Sequence, residues 1–217
     1  TVEFWSNTGG MFYGLAKLSA AGIPTIAVLH GLSTAGGAYQ PGMSDYVIGV
    51  KKNGMAALAG PALLKAATGE IAKNEELGGS EMHSKVTGLV EYLADDDAHA
   101  IEIVRDLINK IDWNSKILKR ELIKFQEPIY DCGEIIGIVP IDYKVPYDVR
   151  DLIARIVDGS DFMDFKPQYG VSTVCVHTKI NGFACGIIGN NGPIDPNGAT
   201  KSAQFIQLCD QSDTPLI

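Results

Sequence analysis

The chain has 217 residues, 46% hydrophobic and 20% charged, a globular composition that excludes a disordered polymer. Eighteen Lys and Arg stand against 26 Asp and Glu, for a net charge of -8, and the densest basic stretch is the short "KILKR" at Lys116 to Arg120, so a nucleic-acid surface is not expected. No apolar run approaches the roughly 18 residues that span a bilayer, and no basic-then-apolar leader precedes Thr1. The expectation is a soluble, intracellular chain trimmed at its start, cytoplasmic or, in a eukaryote, of the mitochondrial matrix.

In chain order, "FYGLAKLSAA" at Phe12 to Ala21 has apolar residues at helical spacing and Gly22 as a stop signal. "IPTIAVLHG" at Ile23 to Gly31 and "YVIGV" at Tyr46 to Val50 read as buried strands. Between them "AYQPGMSD" allows only a short helix, since Pro41 and Gly42 disturb it. Asn53-Gly54 makes a turn, "MAALAG" a third strand, and "GPALLKAATGE" a helix. Over Asp95 to Ile111 the stripe Ala98, Ile101, Val104, Ile108 and Ile111 predicts a helix, with Asp95, Asp96 and Asp97 as cap and dipole partners.

From Asp112 to about Pro146 the sequence is polar and irregular, and it reads as a linker between two lobes, 1–112 and 147–217. The second lobe opens with a helix in "YDVRDLIARIVDG", ended by Gly159. "VSTVCVHTKI" and "FACGIIGN" read as strands joined by Asn181-Gly182, the strongest hairpin signal in the chain. A helix follows from about Thr200 to Cys209, and "TPLI" has the look of a strand beginning. Strands and helices alternate without a repeat period, which makes the class α/β.

Candidates for chemistry are few. Cys132, Cys175, Cys185 and Cys209 lack the close spacing of a zinc or redox pair and read as reduced packing thiols. His30, His83, His99 and His177 match no metal or nucleophile spacing and read as structural. Lys65 reads as a helix-surface lysine, and no metal site is expected. Neither a Walker loop nor GxGxxG occurs, and Ser33 is no nucleophile elbow, because Ala35 stands where GxSxG requires glycine. What remains is "STAGGAY". Gly36 and Gly37 follow a buried strand at the start of a short helix, where successive N–H groups could hold an oxyanion; tight strand–helix packing is the commoner reason for such a pair, so the motif taken alone is weak.

Taken together, "GIPTIAVLHGLSTAGGAYQPGMSDYVI", "LAGPALLKAATGE", "ELGGSEMH", "LADDDAHAI", "YDVRDLIARIVDGSDFMDF", "GFACGIIGNNG" and "AQFIQLCDQSDTPLI" resemble the β, or carboxyltransferase, subunits of biotin-dependent acyl-CoA carboxylases. The "GPALLKAATGE" form is similar to the methylcrotonyl, geranyl and broad-specificity branch, although Ala62 stands where those relatives usually carry a second Pro. The resemblance implies the crotonase-like ββα superhelix (the ClpP/crotonase fold), with these residues covering the latter part of one lobe and the beginning of a second.

It also accounts for the missing base. In the family's reaction carboxybiotin releases CO2, the biotin ureido anion removes the α-proton of the acyl-CoA thioester, and the enolate attacks CO2. The resemblance assigns the enolate's oxyanion hole to Gly36 and Gly37, and places Ala35, Tyr39, Gly60, Pro61 and Ala62 along the acyl-CoA channel. Asn190, Asn191 and Gly192 match a loop on the biotin side. It implies a homo-oligomer, commonly six subunits, working with a biotin carboxylase and a biotin carboxyl carrier protein or α subunit. The family's N-terminal portion and its second oxyanion hole, for the ureido oxygen, are expected to lie outside these 217 residues, so the isolated chain is expected to be inactive. The alternatives are a non-catalytic assembly module of the same fold and a crotonase-type CoA-thioester hydratase or decarboxylase.

Overall fold

The computed structural model describes residues 2–111, 124–142 and 144–217. It divides into two compact units, Thr1–Arg105 and Asp106–Ile217.

The first unit opens with α1 (Val2–Ala20), which reaches further back than the expected helix and stops where Gly22 takes a left-handed φ of 70°. Then come β1 (Ile26–Leu29), β2 (Leu32–Thr34), a 3₁₀ turn (Ala35–Ala38), α2 (Tyr39–Met43), β3 (Tyr46–Val50) and β4 (Met55–Ala57). They are followed by α3 (Pro61–Thr68), α4 (Asn74–Gly78), α5 (Ser80–Met82), a π turn (His83–Thr87), β5 (Tyr92–Ala94) and α6 (Asp97–Lys110). Strands β1, β3 and β5 form a parallel sheet in that order, while β2 and β4 form a separate parallel ribbon. Every residue of β3 is buried, as its unbroken apolar run requires, and Leu29, Val47, Ala56 and Val90 pack into one cluster. Glu91 is buried among them and accepts the Val47 N–H at 2.5 Å.

Asp96 caps α6 by accepting the His99 N–H at 2.8 Å, as expected of the Asp triplet. The apolar stripe needs correction. Ile111 is buried as expected, but its buried companions are Ala100, Leu107 and Lys110, while Ile101 and Ile108 are exposed. Positions 100, 107 and 111 share helical spacing too, so the sequence offers two stripes and periodicity alone does not choose between them.

The second unit contains a short 3₁₀ turn (Cys132–Glu134), α7 (Ile135–Ile138), α8 (Val149–Ile153), a second 3₁₀ turn (Asp158–Ser160), β6 (Phe162–Phe165), β7 (Thr173–Ile180), β8 (Phe183–Asn190) and α9 (Pro196–Gln211). Most of the basic part of the 113–146 stretch, including Trp113 and "KILKR", lies outside the described residues. Strands β6, β7 and β8 form an antiparallel sheet. Asn181 and Gly182, at φ 51° and 81°, close the β7–β8 hairpin in the conformation that Asn-Gly favours.

Helix α8 is shorter than expected. After Ile153 the bonds tighten to i→i+3, Ile156 N to Ile153 O at 2.9 Å, and Ser160 Oγ donates to the Ala154 carbonyl at 2.5 Å. Helix α9 is longer, since Asp195 accepts the Gly198 N–H at 2.7 Å and Pro196 starts the first turn. "TPLI" does pair as a strand: Gly186 N donates to Pro215 O at 2.8 Å, and Ile217 N to Gly186 O at 2.9 Å. One core cluster joins Ile153, Val157, Val174 and Val176. A second stacks Phe205 against Phe165 and His177, with ring centroids 5.3 and 4.7 Å away. Cys175, Cys185 and Cys209 are buried thiols, pushed up by burial to about 11, 11 and 12; Cys132 is exposed, so the packing role expected of all four fails there.

Candidate functional site

The β2–β4 ribbon positions the glycine turn. Its register sets Leu32 beside Met55, Ser33 beside Ala56 and Thr34 beside Ala57. Because the strands are parallel, the segments that leave their carboxyl ends emerge together: Ala35 to Tyr39 after β2, and Leu58 to Ala62 after β4. All seven residues expected on the acyl-CoA side, Ala35, Gly36, Gly37, Tyr39, Gly60, Pro61 and Ala62, lie in these two segments.

Thr34 is extended, at φ -121° and ψ 154°, and Ala35 then turns into the left-handed region at φ 50°. A non-glycine residue held there stores strain, and such outliers gather where a backbone is aimed at something. Tyr39 N–H bonds to the Gly36 carbonyl, closing the 3₁₀ turn. The first N–H groups of such a turn have no partner inside it, and Ala35 and Gly36 hold those positions.

Gly36 and Gly37 are exposed. A Cβ on Gly36 would meet nothing within 4 Å, and one on Gly37 only Ser33 Cβ, at 3.9 Å. Tight strand–helix packing therefore does not account for the pair; what a side chain would fill is open space over the turn. Ser33 and Gln40, just before and just after the turn, line a groove of about 340 Å³ that also takes in Met11, Leu15, Ile26 and Pro41. Tyr39 is 61% exposed, its ring 5.5 Å from that of Phe12. Beyond β4, Leu58 is 87% exposed and Gly60 caps α3 without a side-chain bond, with Pro61 at the first position. Nothing between Ala35 and Ala38 carries an ionisable side chain, so the turn can polarise a carbonyl and cannot deprotonate a carbon acid.

Asn190, Asn191 and Gly192 belong to the second unit. Asn191 is committed locally: its Oδ1 accepts the Val149 N–H at 2.8 Å and its Nδ2 donates to Asp148 at 3.0 Å. Asn190 is exposed, with Nδ2 on the Gly192 carbonyl at 2.8 Å. Lys65 is exposed on α3, and among the described residues no group of three His, Cys, Asp or Glu is placed to hold a metal. No described helix is long and apolar enough to cross a membrane. His83 is the residue whose part the sequence did not disclose. It reads there as one structural histidine among four, whereas its ring bonds the ribbon that carries the turn.

The fold is α/β, with an exposed glycine turn at the carboxyl ends of a two-stranded parallel ribbon. The family described as "Carboxyl transferase domain" matches residues 1–217, and the chain belongs to it. A probable biotin-dependent acyl-coenzyme A carboxylase beta2 subunit of Mycobacterium tuberculosis is 48% identical over 216 residues, 99% of this chain and 40% of that protein. The mitochondrial methylcrotonoyl-CoA carboxylase beta chain of Arabidopsis thaliana is 44% identical, covering 97% and 37%. A crystal structure of transcarboxylase 12S, a hexamer with methylmalonyl-CoA and methylmalonic acid bound, superposes with a TM-score of 0.87 at 35% identity, over all of this chain and 43% of that one. The fold is accordingly crotonase-like, and the chain spans about 40% of the length of the relatives it matches.

Proposed function

We propose that the chain is the central part of a carboxyltransferase subunit, which moves a carboxyl group from carboxybiotin to the α-carbon of an acyl-CoA. The observation that carries this reading is the carboxyl transferase family match along the whole chain, joined to an open, unsubstituted turn at Gly36 and Gly37. The Gly36 amide, one of the turn's two leading N–H groups, would face the thioester oxygen as it gains charge, with Gly37 keeping the turn bare beside it. A donor of that kind contributes about 3 to 4 kcal/mol at the transition state, because it meets full charge only there. Tyr39 and Ala35 would flank the thioester, and Gly60, Pro61 and Ala62 would border the coenzyme, all from the same end of the ribbon.

Biotin, brought by a partner domain, supplies the carboxyl group and the base. Exposed amide groups, which can both donate and accept, suit a ureido ring. The Asn191 carboxamide is engaged at both its oxygen and its nitrogen, whereas Asn190 is exposed and bonded through Nδ2 to the Gly192 carbonyl, so Asn190 and the open backbone at Gly192 would be the groups to touch it. Residues 1–112 and 147–217 would then be parts of two similar lobes joined by 113–146. A hexamer of such subunits, served by a biotin carboxylase and a biotin carrier, in the cytoplasm or mitochondrial matrix, fits the relatives' descriptions.

The test is carboxylation of acetyl-, propionyl- and methylcrotonyl-CoA from labelled bicarbonate, with ATP, by the complete subunit and its biotin-bearing partners. Acid-stable label in one acyl-CoA is the expected result. Hydration or decarboxylation without biotin would point to a crotonase-type enzyme, and a subunit that assembles but turns over no thioester would be an assembly module; either overturns the reading.

A further inference from the structure

We infer that His83 is a positioning residue for the reaction proposed above: its ring fixes the middle of β4 and, through the β2–β4 ribbon, the aim of the turn that carries Gly36 and Gly37. The inference rests on the carboxyl-transfer reading. Both strands of the ribbon have only three residues, so their own ladder is short and they need support from outside. His83 supplies it. Its Nε2 lies 2.7 Å from the Ala56 carbonyl oxygen, and a carbonyl only accepts, so Nε2 carries the proton. Nδ1 lies 2.8 Å from the Thr87 hydroxyl, which is also 3.3 Å from the His83 carbonyl, and this second contact holds the ring plane.

The same carbonyl is closed off from another direction. A Cβ on Gly78 would lie 2.2 Å from Ala56 O, so only glycine lets α4 approach there. Ala56 sits opposite Ser33 in the ribbon, and Ser33 is two residues before the turn begins at Ala35. The connection from the His83 ring to the turn therefore runs through the Ala56 carbonyl, the pairing of β4 with β2, and the chain leaving β2. His83 also begins a π turn, an irregularity that costs regular helix bonds and recurs at functional sites. A displacement of the ribbon would weaken contacts made to the charge that develops in the transition state more than contacts made to bound substrate, which lowers kcat and spares KM.

The experiment compares His83→Phe, which keeps a ring and loses the donor, with His83→Gln, whose amide N–H reaches about as far as Nε2, in the complete subunit with its biotin-bearing partners. The expected result is a kcat lowered about 10- to 100-fold in His83→Phe, KM within about threefold of wild type, and most of the rate recovered in His83→Gln. Unchanged kcat per folded subunit in His83→Phe, or equal damage in both variants, overturns the inference. Should the wild-type subunit carboxylate no acyl-CoA, the functional reading has failed on its own, and amide hydrogen exchange at Ala57 to Gly60 decides the clamp. Faster exchange in His83→Phe than in His83→Gln supports it; equal exchange refutes it.

Discussion

Both units bury polar side chains, Glu91 in the first and Lys201 in the second, but they differ in what they leave open. In the first, the backbone most suited to chemistry is exposed: Gly36 and Gly37 face open space, and Tyr39 and Leu58 stand beside them with most of their surface bare. In the second, polar groups are sunk into the core. Lys201 is wholly buried and donates to the Thr173 carbonyl at 2.8 Å, and burial pushes its pKa down. Asp164 pairs with Arg150 at 2.5 Å; burial raises its pKa, against the pull of that guanidinium. Its Oδ1 and the Thr173 Oγ1 are buried without a hydrogen bond, an arrangement that costs stability. The difference teaches that substitutions at the turn should change rate and leave stability nearly alone, while substitutions around α9 should do the reverse.

The largest expected effect is on the buried side. Phe205→Ala empties the centre of the ring cluster with Phe165 and His177, and should cost about 3 to 5 kcal/mol in urea unfolding. A loss below about 1 kcal/mol would mean that this core collapses around the cavity and is not the rigid partner the comparison makes it. The counterpart in the first unit is Gly36→Val in the complete subunit. Carboxyl transfer should fall about a hundredfold or more, with unfolding free energy changed by less than about 1 kcal/mol, because no described residue lies within 4 Å of the new Cβ. Wild-type rates in that variant would remove the turn from the mechanism.

His177 lets pH separate the units. It is buried on β7, and burial holds its imidazole down at about 4. Between that value and an ordinary 6.5 the unfolded chain binds a proton that the folded chain refuses, so this contribution is complete above about pH 6.5 and is lost as pH falls toward 4. The whole of it is about 3 kcal/mol. Denaturation midpoints measured from pH 7 to 4.5 should fall more steeply in the wild type than in His177→Gln. Parallel profiles would show that the site takes up a proton in the folded state and is wetter than its burial implies.

Much of this contrast is legible in the residues. The β3 run "YVIGV" and the Asn181-Gly182 hairpin announce themselves, because continuous apolar character and a left-handed dipeptide are local properties. Strands β2 and β5, three residues each, do not, since "LST" and "YLA" are too short to show a period and exist through their parallel neighbours. Helix α8 stops early where the Ser160 hydroxyl, six residues on, takes up the Ala154 carbonyl, a local bond that apolar spacing does not show. At the site, "STAGGAY" is visible as two bare peptide units, but whether they serve packing or a ligand depends on the space above them. His83 was invisible for the same reason: its partner, the Ala56 carbonyl, is 27 positions away.

The smallest effects bear on helix starts. Asp195 caps α9 through the Gly198 N–H and also accepts the Ser172 hydroxyl at 3.2 Å, so Asp195→Ala should cost about 1 kcal/mol and Asp195→Asn much less. Helix α3, beside the turn, starts from Gly60 with no side-chain cap and with open space where a Cβ would go. Gly60→Ser should therefore gain only a few tenths of a kcal/mol, as serine differs little from glycine at a cap. The helix that opens the site would thus be held by its connection to β4 more than by its own start, whereas α9 depends on its cap to keep Lys201 and Phe205 in the core. Equal and opposite changes in Gly60→Ser and Asp195→Ala, measured in the same denaturant series, would mean that the two helix starts are equally tied to stability, and the contrast between an open unit and a closed one would not extend to their frames.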